Sequence, residues 1–178
     1  QDAFQHPRKY TINAHEYLLI ELHDYAVSPN LGETLYELRV AGMTPILTHP
    51  ERNPMLQRDP ERLIDWMRNG LLTQVTAGSV LGDMGKAAEK MAHKLLEDRW
   101  VHFLATDAHN IKHRPPHMAA ARDWVAKRHG TTYAERISLH NPMAVFEGRH
   151  LGEQDDPKHL FEDDENAAKP WWKRLLRR

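Results

Sequence analysis

Three short apolar runs in this chain end on residues that bind metals, and that repetition constrains the fold more than any single motif. Residues 17–20 (Tyr-Leu-Leu-Ile) run into Glu21. Residues 45–48 (Pro-Ile-Leu-Thr) run into His49, and residues 101–105 lead to Asp107-Ala108-His109. Strands buried in parallel sheets read as continuous apolar runs of this kind. In β/α folds the ligand site lies at the carboxyl ends of such strands. Side chains just past three strand ends can therefore converge on one pocket. Carboxylate oxygen and imidazole nitrogen suit a hard or borderline divalent cation. The chain has no cysteine, which excludes disulfides and thiolate metal sites.

Between these runs the pattern switches to helical spacing. Leu31, Leu35 and Leu38 predict a helix ending near Gly42. A strand follows over residues 44–48, with Pro45 tolerated near its start. Asp59-Pro60 reads as an N-cap with proline at the first helical position, Leu63, Ile64 and Met67 as the buried stripe, and Gly70 as the stop. Residues 72–76 form a short strand. Ala88, Met91, Ala92, Leu95 and Leu96 make an amphipathic helix before a strand over residues 100–105. Met118, Ala121 and Val125 mark another helix, closed by Gly130. Thr132 and Glu135 suggest a capping box, and Asn141-Pro142 opens the last helix. The first strand, over residues 17–22, is apolar enough to be buried on both faces.

This alternation predicts an α/β fold with a mainly parallel sheet, either a barrel or an open sheet. Four strands cannot close a barrel. Together with Gln1 at the start and a patternless stretch over residues 1–13, this suggests a piece lacking N-terminal strands. Residues 1–150 are expected to form one domain. Residues 151–178 are expected to be a disordered tail, first acidic and then basic and aromatic. In that tail Trp171, Trp172, Leu175 and Leu176 lie beside Lys173, Arg174, Arg177 and Arg178. The segment is either a solvated end or a weak contact for an anionic membrane surface.

The 178 residues suffice for one substantial core. A net charge of -1 gives no electrostatic case for nucleic acid. No apolar run approaches the roughly 20 residues of a membrane span. With no signal-peptide pattern at the start, the cytoplasm is the expected location.

Each candidate has a plain structural alternative. Asp107 can cap a turn while His109 faces solvent, and Glu21 can sit in a salt bridge at a sheet edge. His49-Pro50-Glu51-Arg52 leaves its strand directly. There His49 would be a neutral ligand, Pro50 would stiffen the exit, and Arg52 would offer a planar fork suited to phosphate. Arg114, before two prolines, offers a second fork or a solvated arginine. Thr76-Ala-Gly-Ser79 is a small-residue turn whose N–H groups can line a pocket or hold an anion. The convergence of strand-end donors favours the metal reading.

Tyr17-Leu-Leu-Ile-Glu21, His49-Pro-Glu-Arg52, Thr76-Ala-Gly-Ser79, Thr106-Asp-Ala-His-Asn110 and Arg114-Pro-Pro116 occur in this order. Together they resemble the PHP-superfamily phosphatases of the CpsB/CapC type over roughly residues 10–148. The resemblance implies part of a distorted (β/α)7 barrel and a multinuclear cluster of manganese, or of iron, zinc or magnesium. It also implies a protein-tyrosine phosphatase tied to capsular and exopolysaccharide synthesis. Its partner would be a phosphotyrosine protein such as a polysaccharide-synthesis tyrosine kinase. By match of motif, Glu21, His49, Asp107 and His109 would hold metal, and Arg52 and Arg114 the substrate phosphate. The family opens with an Asp-x-His-x-His strand that residues 1–10 do not supply, so half of the cluster is missing from the match. The alternatives are another PHP-type phosphoesterase, histidinol-phosphatase-like, or a non-catalytic interaction module that has lost half the cluster.

Overall fold

The computed structural model describes residues 2–23, 27–112 and 116–160. Arg114 and the basic and aromatic end of the chain lie outside the described residues. Two short helices, α1 (Asp2–Gln5) and α2 (Pro7–Tyr10), occupy the stretch that showed no pattern in the sequence. Strand β1 (Tyr17–Ile20) follows, then α3 (Leu31–Val40) and β2 (Thr44–Thr48). A 3-10 turn, Pro50–Arg52, leads to α4 (Pro54–Arg58) and α5 (Arg62–Arg68). Next come β3 (Leu72–Thr76), α6 (Ala77–Leu81), α7 (Lys86–Glu97) and β4 (Phe103–Ala105). Helices α8 (Ala119–His129) and α9 (Thr131–Glu135) run through a π turn (Arg136–His140) into α10 (Asn141–Phe146).

The four strands form one parallel sheet in the order β1-β2-β3-β4. All strand exits therefore lie at one end. Alternate side chains point to opposite faces. Leu47, Val75 and Leu104 enter the main core with Leu35, Leu63, Met67, Met91, Leu95, Leu96 and Val125 from the helices. Helix α7 supplies Met91, Ala92, Leu95 and Leu96 to it and buries Ala88 as well. Each such leucine contributes about 1.5–3 kcal/mol by leaving water. On the opposite face Tyr17, Ile46, Phe103 and Val145 make a smaller cluster.

Strand β1 differs from its reading as buried on both faces. It is the edge of the sheet, and Leu19 is 48% exposed. Leu19 lines an apolar groove of about 380 Å³ with Ile46, Phe103, Met118 and Phe146. The helix at residues 59–70 also departs from expectation. Asp59 ends α4, α5 starts at Arg62, and Ile64 is only partly buried. Asn53, followed by proline at the first helical position, is the N-cap of α4, and its side chain accepts from Met55 N and Leu56 N. The Thr132–Glu135 capping box does not form, because the N-cap of α9 is Gly130 at φ 97 with no side-chain cap.

The boundary expected at residue 151 falls within packed chain. Trp100 Nε1 donates to Lys158 O at 2.8 Å, Lys158 N to Asp98 O at 2.9 Å, and Arg68 Nε to Leu160 O at 2.7 Å. Arg136 pairs with Asp155 at 2.6 Å, and Leu160 is buried in the main core. The physical reason is an apolar anchor at the end of a polar run, which composition alone conceals. Among the described residues no helix is long and apolar enough to cross a membrane.

Candidate active site

The exits of β1, β2 and β4 carry the residues singled out by sequence, and the bonds between exits hold them together. Thr48 Oγ1 donates to Ile20 O at 3.0 Å and so joins the ends of β1 and β2. His49 N donates to Gln74 O at 2.8 Å, joining β2 to β3. The backbone then turns sharply. His49 lies at φ 35 and Asp107 at φ 51, both in the left-handed region. That conformation costs a residue other than glycine about 1–2 kcal/mol. Strain of this kind collects where the position of a side chain matters to function.

Two donor pairs result. Glu21 Oε1 lies 3.3 Å from His49 Nε2. His49 is largely buried and Glu21 exposed at the edge. His109 Nδ1 lies 3.8 Å from Asp107 Oδ1 and 2.9 Å from Asp107 O, with the imidazole mostly in solvent. Burial, and next the nearby Arg52 charge, push the His49 imidazole below its ordinary value, against the opposing pull of Glu21 and Asp107. A neutral imidazole keeps a lone pair for a cation. Each pair offers one oxygen and one nitrogen, a donor set that fits a borderline divalent ion in kind. Among the described residues no three or more such side chains gather around one point, so the two pairs remain separate two-donor arrangements.

Arg52 links the pairs. Its Nη1 lies 2.5 Å from Asp107 Oδ2, and both side chains are largely shielded from solvent. The Pro50–Arg52 turn that carries it is closed by Arg52 N donating to His49 O at 3.0 Å and Asn53 N to Pro50 O at 3.2 Å. Asn53 Nδ2 also donates to His23 O at 3.1 Å. Arg114, the second predicted phosphate fork, lies outside the described residues.

Sequence reasoning missed Glu51, which is fully buried beneath this turn. Its Oε1 accepts from Thr76 N at 3.0 Å and from Ser79 Oγ at 2.7 Å. Burial pushes its carboxyl above the ordinary range, although the Ser79 and Thr76 bonds oppose this. The small-residue turn at Thr76 is therefore not an open anion cradle. It becomes α6, and its Thr76 N–H is taken by Glu51. Only the position of Glu51 within the His-Pro-Glu-Arg run hinted at a role.

The fold and these exits place the chain among α/β proteins with donors and an arginine fork at the strand carboxyl ends. The family "Capsular polysaccharide synthesis, CpsB/CapC" matches residues 1–147, and the chain belongs to it. It is 38% identical over 104 residues to a putative tyrosine-protein phosphatase CapC of Staphylococcus aureus, covering 58% of this chain and 41% of that one. It is 33% identical over 121 residues to the tyrosine-protein phosphatase YwqE of Bacillus subtilis, covering 68% and 48%. It is 31% identical over 141 residues to the tyrosine-protein phosphatase CpsB of Streptococcus pneumoniae, covering 76% and 58%. The chain thus spans about half the length of these relatives. A solved structure from work on YwqE of B. subtilis and CpsB of S. pneumoniae, called unique metal-dependent tyrosine phosphatases, matches with a TM-score of 0.81. It is 28% identical and covers 88% of this chain and 64% of that chain.

Proposed function

We propose that this chain carries part of the catalytic end of a metal-dependent protein-tyrosine phosphatase of capsular or exopolysaccharide synthesis. The observation that carries the reading is the Arg52–Asp107 pair at 2.5 Å, which sets a phosphate-binding fork against one donor pair at the strand exits. The four parallel strands would form a sector of a distorted (β/α)7 barrel. Glu21 and His49 would hold one metal, and Asp107 and His109 would contribute to others, with manganese the first choice and iron, zinc or magnesium the alternatives. When bound, such a metal supplies Lewis acidity to the phosphoryl group and acidifies water.

The chain's own residues do the rest. Asp107 holds one arm of the Arg52 guanidinium, and the remaining N–H groups of the fork take phosphate oxygens in a planar, paired geometry. By match of motif, Arg114 would be the second residue to hold the phosphate. Neutral His49 keeps its nitrogen available as a donor. This chain supplies no thiolate nucleophile, since it has no cysteine. The substrate would be a phosphotyrosine protein, such as a tyrosine kinase of polysaccharide synthesis, met in the cytoplasm. The basic and aromatic residues 169–178 would at most touch an anionic membrane surface weakly.

The test is hydrolysis of a phosphotyrosine peptide with added manganese, with histidinol phosphate as the competing small substrate. Asp107→Ala and His109→Ala are expected to abolish turnover, and full activity in either variant overturns the assignment. The partial donor sets favour one second reading, a non-catalytic module built on the same scaffold. Near-stoichiometric bound manganese or iron would exclude it.

A further inference from the structure

Glu51 is the one carboxylate of the His49–Arg52 run that faces away from the site, and it is completely enclosed. Burying a carboxyl is costly, and an apolar side chain would fill the same space without that cost. Its contacts explain its presence. Oε1 takes Thr76 N and Ser79 Oγ, so both bonds cross from the β2 exit to the β3–α6 junction. From the other side, Gln57 Nε2 of α4 donates to Glu51 O at 2.7 Å. Oε2 is buried without a protein partner, as is Thr76 Oγ1 of the same junction. The flanking residues, His49 and Arg52, both face the strand exits. Without the Glu51 side chain, the turn would keep its local backbone bonds, the Gln57 bond to Glu51 O, buried Pro50, Asn53 and the Arg52–Asp107 pair, but no side-chain bond to the β3–α6 junction.

We infer that Glu51 is a positioning residue for phosphate recognition: it pegs the 3-10 turn to the β3–α6 junction and so fixes where Arg52 presents its fork. The inference rests on the phosphatase reading for its consequence in turnover, but not for its consequence in geometry. A glutamine at position 51 retains the Oε1 acceptor for Thr76 N and Ser79 Oγ, whereas alanine removes it. The peg therefore predicts loss in Glu51→Ala and rescue in Glu51→Gln. Ser79→Ala, which removes one of the two bonds, is the milder variant to use if Glu51→Ala does not fold.

The experiment reads the Nε–Hε resonance of Arg52 by NMR, assigned through Arg52→Lys, in the unaltered chain and in each folded variant. Glu51→Ala, or Ser79→Ala in its place, is expected to shift that resonance, and Glu51→Gln to restore it. With manganese and a phosphotyrosine peptide, kcat/KM should fall in Glu51→Ala on the order of 10²-fold, the scale of a misplaced positioning group. KM should rise as well, because Arg52 contacts phosphate in the bound ground state. Simple loss of folded enzyme would lower kcat and leave KM alone. An unmoved Arg52 resonance in folded Glu51→Ala or Ser79→Ala overturns the inference, as does a Glu51→Gln variant that fails like alanine. If the unaltered chain neither turns over peptide nor binds manganese while the resonance still responds to Glu51→Ala, the phosphatase reading fails for this chain and the peg stands.

Discussion

Arg52 Nη1 and Asp107 Oδ2 lie 2.5 Å apart although 55 residues separate them in the chain, and this contact joins the exits of β2 and β4 across β3. Asp107 therefore faces two demands, a guanidinium on one oxygen and an imidazole near the other. A partly buried charge pair of this kind loses more when one partner is removed than it contributes when intact.

Replacing Arg52 tests the fork directly. Arg52→Lys keeps the charge but not the planar geometry, so it should fail to rescue what Arg52→Ala loses. Each is expected to lower kcat/KM toward a phosphotyrosine peptide by about 10²-fold, the scale of a lost transition-state donor. Steady-state kinetics with manganese checks this, and a lysine variant at full activity would mean that Arg52 acts as a charge alone.

The Glu21–His49 pair makes a separate prediction. His49→Ala removes a nitrogen donor held by the β2 exit, and Glu21→Gln removes the anionic oxygen beside it. Changes to groups that merely orient ligands cost about 10–100-fold in affinity, so loss of a donor should cost at least that. Calorimetric titration of manganese into each variant is the measurement. Arg52→Lys is the control, since Arg52 supplies no lone pair.

The strand exits were legible from sequence because a parallel strand leaves a continuous apolar signature and its first polar residue marks the exit. Strands β2 and β3 fall where the pattern put them, and α7 and α8 follow their apolar spacing closely. What stayed hidden depends on contacts remote in sequence. Leu19 looks like core, yet it faces an open groove because β1 is a sheet edge. Glu51 looks like surface, yet its partners, Thr76 and Ser79, are supplied by the next βα unit. Asp155 and Lys158 look like a solvated run, yet they pair with Arg136 and Glu97 of the body.

The attachment of residues 151–160 can be tested by stability. A detached tail would tolerate Leu160→Ala without effect. In the packed arrangement that change opens space beside Met67, Leu71 and Tyr133, and should cost about 2–3 kcal/mol. Trp100→Phe removes the bond to Lys158 O and should cost about 1 kcal/mol from that bond alone. Urea unfolding followed by circular dichroism measures both, and a Leu160→Ala chain as stable as the original would return this segment to the solvent.

Acid should destabilise the chain in part through His102. The residue is half-buried, and burial pushes its imidazole from 6.5 to about 4. Thr73 N donates to its Nδ1 at 3.2 Å, which favours the neutral ring with the proton on Nε2. Between pH 4 and 6.5 the unfolded chain binds the proton and the folded chain does not. The contribution is fully present above pH 6.5 and is lost as pH falls toward about 4, on the order of 3 kcal/mol in total. His49 and His129, both lowered mainly by burial, act in the same sense, whereas Glu51, raised by burial, acts in the opposite one. The raw pH profile therefore mixes signs, and the informative quantity is the difference from His102→Asn. The Asn Oδ1 can accept from Thr73 N but does not titrate. Once the intrinsic cost of the substitution at pH 7.5 is subtracted, urea midpoints should coincide at pH 7.5 and diverge toward pH 4, the unaltered protein falling below His102→Asn. Parallel profiles across that range would remove His102 from the acid response.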